Sequence, residues 1–232
     1  LFFLVGVKPG PPPRADAAAD AEAVVHKVLK LFTQAFHPQQ REYVTTASVG
    51  GLGTSASRLE TSLVSLTATV GTGGAHLVET DALLVSSLSS TGAVNITTTA
   101  TGSDLSIGSL SAAGQTVTLT AQGSVLDGDT SNDGLDITAA RLTVTATGLG
   151  TAASRLETSL DNLTATVGTG GAHLVETDAL LVSSLSSTGA VNLTTTATGA
   201  DLSVASLSAA GQAVTLVSKA AEIHADPSNH RL

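Results

Sequence analysis

The feature that most constrains this 232-residue chain is that it repeats itself. Residues 51–119 match residues 148–216 at 61 of 69 positions without a gap, an offset of 97, and residues 66–95 recur unchanged. The register persists to the end, where Asp226, Ser228, Asn229 and Leu232 fall on Asp129, Ser131, Asn132 and Leu135. Repetition on this scale points to a quasi-one-dimensional array rather than a single closed core. Ninety-seven residues is too long for one supersecondary unit, and a shorter period lies inside it. Thr-rich strands begin at Leu66, Val94, Val117, Leu142 and Leu163, so successive starts are 28, 23, 25 and 21 residues apart. The reading is four unequal coils per repeat.

Each strand alternates. Val117, Leu119 and Ala121 fall on one side and Thr118 and Thr120 on the other, the period of a half-buried strand. Glycine-rich and Asx-rich joints follow, such as Gly71-Thr-Gly-Gly74, Gly102-Ser-Asp104 and Gly148-Leu-Gly150. No helical pattern recurs between strands, which argues against the crossover helices of an α/β fold. Composition agrees: 42% of residues are hydrophobic but only 2% aromatic, with no Trp, Met or Cys, so the core has to be built from small stacked aliphatic layers. The expected fold is all-β, a right-handed parallel β-helix or solenoid of about eight coils at roughly 4.8 Å per coil.

The first 43 residues differ in chemistry. They hold all four phenylalanines, the single tyrosine and five of the six prolines. Residues 1–14 read as an extended Pro-rich segment, and their apolar start is too short for a bilayer span or an intact signal peptide. Residues 15–43 read as an amphipathic α-helix and linker: Val25, Val28, Leu29, Phe32 and Phe36 share one face, and Pro38 ends it. Such a helix suits a cap on the open end of the solenoid, which is placed at 44–232, with one repeat at 51–147 and an incomplete one at 148–232.

The motifs Gly-Gln-Thr-Val-Thr-Leu-Thr-Ala-Gln-Gly-Ser-Val-Leu-Asp-Gly-Asp (114–129), Ile137-Thr-Ala-Ala-Arg-Leu-Thr-Val144 and residues 153–166 resemble the repeats of very large filamentous-haemagglutinin-like adhesins over about residues 44–232. That resemblance implies a secreted or cell-surface bacterial product acting in adhesion or biofilm formation. Its partners would be a host or environmental surface, a glycan or further adhesin copies. The Pro-rich and helical start and the absence of the family's secretion domain depart from that pattern, and the chain reads as a fragment whose export signals lie elsewhere. A net charge of −9 and the lack of a basic patch give no attraction to nucleic acid, and no membrane insertion of this stretch is expected.

No pattern resembles a nucleophile-base pair or a phosphate loop, and a carbohydrate-active β-helix would need aromatic platforms, so the expectation is no enzyme and no cofactor. The most chemical segment runs from Asp127-Gly-Asp129 to Asp136. Its spacing departs from that of an EF-hand, yet Asp127, Asp129, Asp133 and Asp136 form an oxygen-rich calcium candidate. In the second copy His224 and His230 replace Asp127 and Asp133. His76-Leu-Val-Glu79-Thr-Asp81 and its copy His173 to Asp178 read as a duplicated surface loop, and Glu60 and Glu157 as surface carboxylates. The sequons at Asn95, Asn162 and Asn192 follow from Thr-rich strands. Stacked coils would place Thr67, Asn95, Thr118, Thr143, Thr164, Asn192 and Thr215 in one outward column, with Thr69, Thr97, Thr120, Thr145, Thr166 and Thr194 beside it. Such a Thr-X-Thr array offers a second function, binding ice or a polysaccharide surface.

Overall fold

The computed structural model describes residues 42–129, 134–220 and 223–225. The Pro-rich segment, the expected cap helix and Asp133 lie outside them. Every strand pairing is parallel, and no α-helix occurs among the described residues. The chain is a parallel β-solenoid of about eight turns. One column makes this explicit: Leu59, Leu77, Ile96, Leu119, Val144, Ala165, Leu185 and Leu207 pair in succession, in steps of 18 to 25 residues. All eight point inward and are buried. Burying a Leu or Val side chain stabilises by about 1.5–3 kcal/mol, and stacking one per turn repeats that gain along the axis.

A second inward column runs Leu52, Ala75, Val94, Val117, Leu142, Leu163, Val182 and Val204, and the backbone of Ala225 pairs with Val204 in the next turn. Leu66 is not in it; it stacks between Val44 and Val85, in a column that continues to Ile107 and Asp127. Its copy, Leu163, therefore occupies a different side of the rod. Four turns from Ala75 to Leu163 use 88 residues, nine fewer than the repeat. The 97-residue unit is thus four turns and about two fifths of a fifth, not four whole coils.

The steps of 23, 25 and 21 residues are true turns, because Val94, Val117, Leu142 and Leu163 share a column. The step of 28 is not one. Gly71-Thr-Gly-Gly74, which reads as a joint, lies inside the continuous strand Leu63–Glu79, and that strand supplies an additional layer beneath Val94. Gly74 is the corner. It has φ +72°, and a Cβ there would sit 2.0 Å from the carbonyl oxygen of Ala93 in the next turn. Gly171 repeats this at φ +77° and 2.1 Å from Ala190 O. Only glycine lets the two backbones approach and leaves the next residue in register, with Ala75 N donating to Ala93 O at 3.0 Å.

Candidate functional site

Three arrangements of polar side chains stand out on this scaffold. The first is internal. Ala75, Leu77 and Glu79 have the same parity on one strand, so Glu79 points into the core and is 0% exposed. The duplicated segment is therefore not the surface loop its composition suggests. The carboxylate accepts from Thr61 Oγ1 at 2.7 Å, Leu63 N at 2.9 Å, Thr80 N at 2.9 Å and Asp81 N at 3.3 Å. Glu176 is held likewise by Thr158 Oγ1, Leu160 N and Asp178 N. Burial pushes both carboxyls up, against these hydrogen bonds, which favour the charged form. Glu79 lies between the buried Thr61 and Thr98 of the neighbouring turns, a polar column beside the aliphatic ones. His76 on the strand of Glu79 and His173 on that of Glu176 have the opposite parity, and burial lowers both imidazoles.

The second is the Thr array. Asn95, Thr118, Thr143 and Thr164 do stack on four consecutive turns, as do Thr97, Thr120, Thr145 and Thr166. The columns expected to extend further do not. His76 rather than Thr67 lies below Asn95, and Ser184 rather than Asn192 follows Thr164. Thr67 and Thr69 pair with Ser87 and Ser89 on another side, while Asn192 stacks with His173 and Thr215, and Thr194 with Val175 and Val217. The fractional turn in the repeat is the reason. The lower edge of the array is also engaged: Arg58 Nη2 donates to Asn95 Oδ1 at 3.0 Å and Thr97 Oγ1 at 2.8 Å, and to Leu77 O. Arg141, exposed between Thr116 and Asn162, places a cation directly beside Thr143.

The third lies where the first repeat meets the second. Carboxylate oxygens of Asp127, Asp129 and Asp136 come within 4.8 Å of one another. Asp127 ends the strand Val125–Asp127 and accepts from Asp129 N at 2.9 Å, a tight Asx turn. Asp136 precedes the strand Ile137–Leu149 and is 1% exposed. Its Oδ2 accepts from Glu157 N at 2.9 Å, while its Oδ1 has no hydrogen-bond partner among the described residues. Asp136 N in turn donates to Glu157 O, so Glu157 is stacked one turn above it. The side chains of Asp136 and Glu157 interact, which favours the protonated form of Asp136 and the charged form of Glu157.

Burial, with Asp127 and Glu157 nearby, raises the Asp136 carboxyl to about 8. Burial also raises Glu157, which is half-buried rather than the free surface carboxylate expected. Ser154 completes the rim: Gly150 at φ +66° opens a loop closed by Thr151 N to Ser154 O at 2.7 Å, and Ser154 Oγ donates to Asp127 Oδ2. This donor set is all oxygen, without the His or Cys ligands of usual zinc sites, and suits hard cations.

Sequence reasoning placed Asp127, Asp129 and Asp136 together but missed Glu157, which is distant in sequence from Asp136 and adjacent only through the winding. Comparison with family models, with curated proteins and with solved structures finds no match for this chain.

Proposed function

We propose that this chain is a structural repeat region of a secreted or surface-exposed bacterial adhesin, a right-handed solenoid acting as a rigid stalk or multivalent rod. One observation carries the reading: segments of identical sequence occupy different sides of the solenoid while keeping the core columns continuous. A face evolved to meet one ligand would be copied onto the same side. Here the duplication preserves the rod and rotates its decoration, so the loops opened by Gly53 and Gly150 point in different directions. Glycans, a host or environmental surface, or other adhesin copies would meet such loops at several azimuths, which suits multivalent contact.

Arrays of one, two and four complete repeats test the reading. Their contour length, measured by scattering or electron microscopy, should grow by about 20 Å for each added copy. Arrays that collapse or fail to lengthen would refute a stalk.

The four-turn Thr array favours a second reading, a binder of ice or polysaccharide surfaces. Thermal hysteresis with shaped ice crystals, abolished by Thr118→Lys with Thr145→Lys, would support it; unshaped ice would dismiss it.

A further inference from the structure

The junction carboxylates have no role in the stalk itself. Carboxylate oxygens of Asp127, Asp129 and Asp136 come within 4.8 Å of one another, and Glu157 of the following repeat stacks one turn above Asp136, bonded to it through its main chain. Carboxylates stacked directly on adjacent strands repel, and that cost grows with burial. A buried carboxylate oxygen without a donor is costly in its own right. Elsewhere the protein answers this problem fully, since Glu79 receives four hydrogen bonds. At Asp136 the Oδ1 atom is buried, unpartnered among the described residues, and belongs to the carboxyl group that closes the cluster.

We propose that the repeat junction binds one hard divalent cation of the calcium class through carboxylate oxygens of Asp127, Asp129, Asp136 and Glu157. Calcium accepts six to eight oxygen ligands in irregular geometry, which carboxylates from separate turns can supply with water. The cation ties the end of one repeat to the start of the next. The site is specific to this junction: Glu60, the counterpart of Glu157, stands ahead of the first repeat's own carboxylates, and His224 takes the place of Asp127 in the second copy.

The test uses the full chain, stripped with chelator at neutral pH and titrated with calcium chloride by calorimetry, with thermal melts in parallel. One calcium ion per chain and a raised melting temperature are expected. Asp136→Asn and Glu157→Gln should each weaken binding by at least about tenfold, whereas Glu60→Gln should leave it unchanged. Asp127→Asn, at a half-exposed position, serves if Asp136→Asn does not fold. Absence of calcium binding at millimolar concentration overturns the proposal. Binding that survives Asp136→Asn and Glu157→Gln overturns it as well.

Discussion

Val117 and Val214 are the same residue at the same place in the two copies, yet Val117 is 0% exposed and Val214 is 40% exposed. Val117 is covered by Leu142 of the next turn; among the described residues no strand stacks on Val214. The contrast shows that burial in this protein is conferred by the following coil rather than by the residue's own sequence context. Contacts made inside a copy, by comparison, are reproduced. Thr61 with Glu79 becomes Thr158 with Glu176, and Arg58 with Asn95 and Thr97 becomes Arg155 with Asn192 and Thr194.

The sharpest way to break this comparison is to make one substitution in both copies. Leu119→Ala should cost about 2–5 kcal/mol in chemical denaturation, while Leu216→Ala, only partly buried, should cost less than about 1 kcal/mol. Equal losses would mean that the following coil is not what buries these positions. Glu79→Ala and Glu176→Ala should behave alike, each losing about 2–3 kcal/mol because the backbone donors and the Thr hydroxyl are left buried without an acceptor. A large difference between the two would show that the copies are not locally equivalent.

The junction has no duplicate, and its signature is pH dependence. Asp136 has a folded value raised to about 8 from an ordinary 3.8, so the folded state binds more protons across that window. In calcium-free buffer its contribution is therefore fully present below about pH 4 and is lost as the pH rises toward 8. Melting temperature should fall across that range, and Asp136→Asn should flatten the slope. Arg58→Ala and Arg155→Ala should each cost about 1 kcal/mol, readable as a lowered denaturation midpoint.

The strand parity of Val117, Leu119 and Ala121 was enough to orient the core, and the Thr positions opposite them do face outward. The same parity would have buried Glu79 with Ala75 and Leu77, but a glutamate followed by Thr80 and Asp81 reads as surface by composition. Composition misled there because two of the four donors, Thr61 Oγ1 and Leu63 N, reach that carboxylate from the preceding turn, while the other two are the backbone N–H groups of Thr80 and Asp81 themselves. The Thr columns failed for a related reason: Leu66 and Val94 look like successive turns, and the strand between them was hidden by glycines that serve as a corner.

By itself the sequence determined the fold class, because alternating aliphatic and Thr positions repeated at short intervals without helices leave parallel stacking as the way to bury the aliphatic side. It also determined the near-identity of the two copies. Which side of the rod each copy faces was decided only by tertiary structure, since the azimuth of a strand depends on the summed lengths of every corner before it. The meeting of Glu157 with Asp136, and of Arg58 with Thr97, follows from that sum and from no local pattern.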